Sequence, residues 1–183
     1  MKYIFCLDPG SDCSGIAYLS EGAITYADNI PNEAVVDKIE ALRCSNDDFI
    51  VLVEDIAPYT LKLKQEVIDT CKFIGETLYR LRMARIDYRL ILRWQIKQWV
   101  YNSFNEKIKG RIEKKIAASD LKDGKSRRSH FVFVDDRIVL AAMKYRWGIE
   151  TPKPGKRNSL GLSKDAWQAL ALGTFFIDSL NTK

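Results

Sequence analysis

Histidine is almost absent, and His130 is the only one in 183 residues. A single imidazole cannot build a multi-histidine metal site. Cysteine is sparse as well. Cys6, Cys13, Cys44 and Cys71 show no CxxC spacing, which argues against a structural zinc site. Cys6 and Cys71 read as small core residues, and a reducing cytoplasm is the expected setting. No apolar run approaches the roughly 20 residues that a membrane-spanning helix needs, so no membrane partner is expected. Met1-Lys2 leads straight into a short apolar run without a small-residue cleavage site, so no signal peptide is expected. There is no internal repeat.

The composition that remains is that of a globular protein. Hydrophobic residues make up 46% of the chain, enough for one domain, 1–183, with a good core. The net charge of +5 is unevenly placed. Between Lys107 and Arg128 stand nine basic residues: Lys107, Lys109, Arg111, Lys114, Lys115, Lys122, Lys125, Arg127 and Arg128. Only Glu113, Asp120 and Asp123 oppose them. This stretch, within a basic segment 105–130 that reads as mobile around Asp123–Ser129, carries more positive charge than the whole chain nets. A local basic block in an otherwise balanced protein is the footprint of a polyanion partner. A solvated surface helix and loop is the plainer alternative.

Hydrophobic periodicity gives a mixed order of elements. Residues 2–8, Gly15–Leu19 and Ala23–Ala27 read as strands, with a turn at Ser20-Glu21-Gly22. Asn32–Arg43 reads as a helix, and Phe49–Val53 as a strand buried on both faces. Leu61–Ala84 reads as a long helix with Leu63, Val67, Ile68, Cys71, Ile74, Leu78 and Leu81 inside. A strand at Tyr88–Leu92 and a helix at Gln95–Phe104 follow. Asp135 or Asp136 is expected to cap a helix ending near Trp147, and Ser163 to cap a last helix ending near Leu180. Thr151–Leu162, with two prolines and two glycines, reads as a loop. The pattern predicts an α/β fold, a mixed sheet flanked by helices.

Three carboxylates fall at the ends of these elements. Asp8 closes the first apolar run and meets Pro9-Gly10-Ser11. Glu54 closes Phe49–Val53. Asp165 opens the last helix. Acids at the ends of separate elements suggest a site for Mg²⁺, which prefers hard oxygen ligands. Each also has an ordinary explanation: a turn-forming Asp-Pro-Gly, a strand-end surface acid, and an early-turn helix charge.

Together, these pieces resemble the RuvC family of Holliday-junction resolvases in the RNase H-like superfamily. Ile4-Phe5-Cys6-Leu7-Asp8-Pro9-Gly10 is similar to that family's first strand with its metal-binding aspartate, and Val51-Leu52-Val53-Glu54 to the strand carrying its glutamate. Arg93-Trp94-Gln95-Ile96-Lys97 resembles the passage near its DNA-contacting lysine. Asp165-Ala166-Trp167-Gln168-Ala169-Leu170-Ala171-Leu172 resembles its last helix, except that the family's second acid there falls on Gln168. The length of 105–134 is closer to phage or viral relatives.

The resemblance implies an RNase H-like five-stranded mixed sheet and a homodimeric, metal-dependent endonuclease resolving four-way DNA junctions. It implies two Mg²⁺ ions, replaceable by Mn²⁺, held by Asp8, Glu54 and Asp165, with Asp8 bridging. The fourth ligand is left open among Gln168, a water, and Asp135 or Asp136. Lys97, Lys107, Lys109, Arg111, Lys114, Lys115, Arg127 and Arg128 are the candidate DNA contacts. The helix Leu61–Ala84 would form the dimer interface, with Tyr59, Phe73 and Tyr79 as anchors or plain core. Phe104 is a candidate for opening bases. Two other nucleic-acid readings share these features: a nuclease acting on forks, flaps and other branched DNA, and a branched-DNA-binding module without catalysis. A sugar-kinase-like or actin-like ATPase shares the Asp-x-Gly turn but needs a second domain and a second glycine-rich loop. No nucleotide cofactor is therefore expected.

Overall fold

The computed structural model describes residues 2–43, 48–56, 64–103, 110, 113–114, 134–148 and 162–181. The chain divides into two compact units, one made of Met1–Arg93 with Gly161–Lys183, the other of Trp94–Leu160.

The first unit is built on a five-stranded sheet. The strands are β1 (Tyr3–Asp8), β2 (Cys13–Ser20), β3 (Ala23–Pro31), β4 (Phe49–Asp55) and β5 (Tyr88–Leu92), in the spatial order β3-β2-β1-β4-β5. β1, β2 and β3 form an antiparallel meander, whereas β4 and β5 run parallel to β1. The β2–β3 turn places both Glu21 and Gly22 at positive φ, the conformation that a tight two-residue hairpin requires. β2 begins two residues earlier than its apolar pattern suggests, and β3 runs on to Pro31, because the long hairpin pairs polar residues as well as apolar ones.

Strand alternation divides the side chains between two faces. Phe5, Leu7, Ile16, Tyr18, Phe49, Val51 and Val53 form one face. They pack with Val35 and Ile39 of α1 (Asn32–Arg43) and Ile74 and Leu81 of α2 (Gln65–Met83). The opposite face, with Ile4, Cys6, Ala17, Leu19 and Leu52, is covered by the last helix of this unit, Lys164–Asn181. A Cβ on Gly173 of that helix would stand 2.6 Å from Cys6 Sγ and 2.7 Å from Leu19 Cδ1. Glycine is what lets the helix lie this close to the sheet. The far end of the helix meets β5, where Arg89 stacks over the Phe176 ring with 5.3 Å to the centroid.

The inner stripe of α2 is Thr70, Ile74, Thr77 and Leu81; Ile74 and Leu81 lie inside as expected and Leu78 packs against the core, but Ile68 and Cys71 do not belong to it. Two threonines on the buried side misled the hydrophobic reading. Thr70 satisfies its hydroxyl by donating to the Glu66 carbonyl at 2.7 Å. Ile68 and Cys71 are exposed, which corrects the core assignment of Cys71. Cys6 is fully buried. Burial pushes its thiol far above the usual range, so Cys6 is an inert core residue.

The second unit contains α3, which starts at the boundary residue (Arg93–Ser103), and α4 (Asp136–Arg146). The last helix of the chain, in the first unit, is α5 (Lys164–Asn181). Within the second unit Ile96, Val100, Val134, Ile138, Val139, Ala142 and Met143 are buried. Asp135 is the N-cap of α4, its Oδ1 accepting from Ile138 N at 3.0 Å. Asp135→Ala is expected to lower stability by about 1 kcal/mol, since it orphans a first-turn amide. Chemical denaturation checks this, and an unchanged midpoint would show that α4 does not need its cap. Among the described residues, no helix is long and apolar enough to cross a membrane.

Candidate functional site

Asp8 ends β1, the middle strand of the sheet. Its partner on β2 is Gly15. On the other side Leu7 pairs with Val53, so the next step of the parallel ladder sets Asp8 beside Glu54. Strands in such a ladder lie roughly 4.8 Å apart. Alternation sends Asp8 and Glu54 to the face of Cys6 and Leu52, the face covered by α5.

Gly15 explains how α5 reaches the same corner. A Cβ on Gly15 would overlap the backbone carbonyl of Asp165. The absence of a side chain lets the first turn of α5 rest on β2, on the residue paired with Asp8. Ser163 fixes where that turn starts, its Oγ accepting from Ala166 N at 3.1 Å. Asp165 lies in this first turn, at the positive end of the helix dipole. A cation brought there must be held by the Asp165 carboxylate against the dipole.

The loop after Asp8 is latched by a residue that the sequence marked only as a helix start. Asn32 donates through Nδ2 to the carbonyls of Gly10, at 3.0 Å, and Ser11, at 3.2 Å. Its Oδ1 accepts from Ser14 Oγ at 2.6 Å. Gly10 is not at positive φ. It is required because a Cβ there would overlap the Cys13 carbonyl. The Pro9–Asp12 loop is therefore held in one conformation at the C-terminal end of β1.

Glu54 is not a surface acid. It is 3% exposed, and its Oε1 lies 3.3 Å from Arg93 Nε. A buried carboxylate requires such compensation. The sequence places Arg93 only in the passage toward Lys97. Its role becomes visible from the β4–β5 register, in which Asp55 pairs with Leu92 and the next residue is Arg93. Gln168 is 3% exposed, three residues beyond Asp165 on the same side of α5. Its Nε2 is buried without a hydrogen-bond partner among the described residues.

The register and the Gly15 contact thus bring Asp8, Glu54 and Asp165 to the same end of the same sheet face. They do not draw the side chains together. Among the described residues, no three His, Cys, Asp or Glu side chains stand close enough to hold a metal ion between them. In donor chemistry the three carboxylates suit a hard divalent cation. Asp135 is engaged in its cap.

Most of the candidate DNA contacts lie outside the described residues. Lys97 lies on α3 in the second unit and is half-buried, and Lys114 is exposed. Lys107, Lys109, Arg111, Lys115, Arg127 and Arg128 lie outside the described residues, as do Tyr59, Phe104 and His130.

No protein-family model matches the chain, and no curated protein matches it. Solved structures do. The Thermus thermophilus RuvC structure aligns over 97% of this chain and 96% of its own, with 14% identity and a TM-score of 0.52. The structure of T. thermophilus RuvC in complex with a Holliday junction substrate aligns over 98% of this chain and 96% of its own, with 13% identity and a TM-score of 0.54. At this identity the likeness is one of fold. The five-stranded mixed sheet with its flanking helices is a RuvC-like, RNase H-like arrangement.

Proposed function

We propose that the chain is a metal-dependent endonuclease that resolves four-way DNA junctions by paired, symmetric phosphodiester hydrolysis. The observation that carries this reading is the placement of Asp8 and Glu54 side by side on the α5 face, with the Asp165 backbone against Gly15. Asp8, Glu54 and Asp165 would hold Mg²⁺ or Mn²⁺. A bound divalent cation activates a water and stabilises the leaving 3′-oxygen. The chain's own task is orientation. Asn32 fixes the Asp8 loop, Arg93 fixes Glu54, and Ser163 fixes the start of the helix that bears Asp165.

The basic segment would grip junction phosphates, with Lys97 as a further contact. Such contacts position DNA and make binding fall steeply with salt. Neutralising Lys107, Lys109, Lys114 and Lys115 together is expected to reduce the slope of log K against log salt by roughly 3 to 4. A slope equal to that of the wild type would make the segment solvated surface.

A two-fold substrate suits a two-fold enzyme, and α2 supports a homodimer. Its outer side exposes Ile68, Tyr79 at 63% and Met83 at 67%. Phe73, by contrast, packs against the core. The phage- or viral-type assignment rests on the length of residues 105–134.

The deciding assay offers a labelled four-way junction beside linear duplex, fork and flap, with Mg²⁺, Mn²⁺ or chelator. Paired metal-dependent nicks confined to the junction support a resolvase. Cutting of every branched form supports a broader debranching nuclease. Tight binding without cutting supports the silent module, a reading favoured by the neutral Gln168.

A further inference from the structure

We infer that Asn32 is a positioning residue for the reaction, holding from the start of α1 the main chain that carries Asp8. The inference rests on the nuclease reading above and adds to it a residue outside the carboxylates. Two observations carry it. The side-chain hydrogen bonds of Asn32 all leave its own helix. Its Oδ1 accepts from Ser14 Oγ at 2.6 Å, and its Nδ2 donates to the carbonyls of Gly10 and Ser11 at 3.0 and 3.2 Å. Ser14, fully buried, closes the ring, its Oγ accepting from Gly10 N at 3.4 Å.

Asp8 stands where β1 runs out of neighbours. Its ladder to β2 ends at the pair Asp8–Gly15, and its ladder to β4 ends one residue earlier, at Leu7–Val53. A strand end held by few rungs frays readily. The chain then turns, and it is pinned again at Gly10 and Ser11 by Ser14 and Asn32. Asn32 thus does the work of the missing rungs. The latch does little for α1 itself. Asparagine is a poorer helix former than alanine. The Asn32 backbone amide donates to the Asp12 carbonyl at 3.0 Å, a bond that alanine keeps. Asn32→Ala therefore releases the loop and leaves the helix start in place. It alters no charge and no candidate DNA contact. What it frees is the main chain of Asp8, and a reacting group misplaced by about 1 Å loses on the order of a hundredfold in rate.

The test is single-turnover cleavage of a labelled four-way junction by the full-length protein with Mn²⁺, enzyme concentration being varied to separate the saturating rate from half-saturation. Asn32→Ala is expected to lower the saturating rate roughly 10- to 100-fold per folded molecule. Half-saturation stays within about twofold of the wild type, because the phosphate contacts are untouched. Amide hydrogen exchange over Gly10–Asp12 quickens. Ser14→Ala acts in the same direction and carries the same test should Asn32→Ala fail to fold. The double variant is no worse than the more severe single one, since both residues serve one network. A folded Asn32→Ala or Ser14→Ala chain that cuts at the wild-type rate overturns the inference and leaves the nuclease reading standing. So does a loss that merely follows the folded fraction, or one that falls on half-saturation alone. A wild-type chain that cuts no branched DNA overturns the nuclease reading, and the inference with it.

Discussion

Asp8→Asn is expected to lower junction cleavage about a thousandfold or more, some 4 kcal/mol of transition-state stabilisation at 1.36 kcal/mol per tenfold, while junction binding persists. The substitution is nearly isosteric and keeps one carbonyl oxygen, so the turn latched by Asn32 keeps its shape. What it removes is charge at the centre of the sheet, between Gly15 on one side and the Glu54 strand on the other. Under the proposed function, binding would depend on phosphate contacts from the basic segment, which this change leaves intact. Glu54→Gln is expected to behave alike in cleavage. Its effect has a second source, because Arg93 then faces a neutral amide and the buried corner loses its ion pair. Single-turnover cleavage and an equilibrium binding titration on the same junction separate these effects. Retained cleavage in both variants would move the chemistry away from this corner. Loss of binding in parallel with cleavage would instead mean that the carboxylates hold the fold rather than the reaction.

Much of this corner was legible in the sequence because it depends on local chemistry. An acid at the end of an apolar run, a Ser-x-x start to a helix and a glycine turn all leave marks within a few residues. The Ser163 cap, the Asp135 cap and the hairpin at Glu21-Gly22 are of this kind. What escaped depends on register. Nothing near Arg93 in the chain announces Glu54, 39 positions earlier; only the pairing of β4 with β5 does. Asn32 likewise serves a loop some 20 residues upstream. The α2 stripe was misassigned for a different reason. Thr70 is buried with its hydroxyl bonded back to the Glu66 carbonyl, and Thr77 is buried in the same stripe, so hydrophobicity alone rotated the helix toward Ile68 and Cys71. The gathering of side chains on an ion is a matter of rotamers and charge, which the spacing of acids along a chain does not encode.

Gly15→Ala is expected to be the most damaging change that alters no functional group. The new Cβ would fall on the Asp165 carbonyl, a backbone atom in a capped first turn, so no flexible side chain can move aside. Either β2 bends away from β1 or the start of α5 lifts from the sheet. Overpacking of this kind costs about 1–3 kcal/mol, visible as a lower midpoint in thermal or chemical denaturation. The functional loss should exceed the stability loss. Displacing Asp165 by about 1 Å relative to Asp8 costs on the order of a hundredfold in rate, even in molecules that remain folded. Cleavage measured per folded molecule, at a temperature well below the mutant's midpoint, isolates that term. A lowered midpoint with cleavage per folded molecule equal to wild type would show that Asp165 lies outside the reacting centre. An unchanged midpoint would show that α5 does not rest on β2 through this glycine at all.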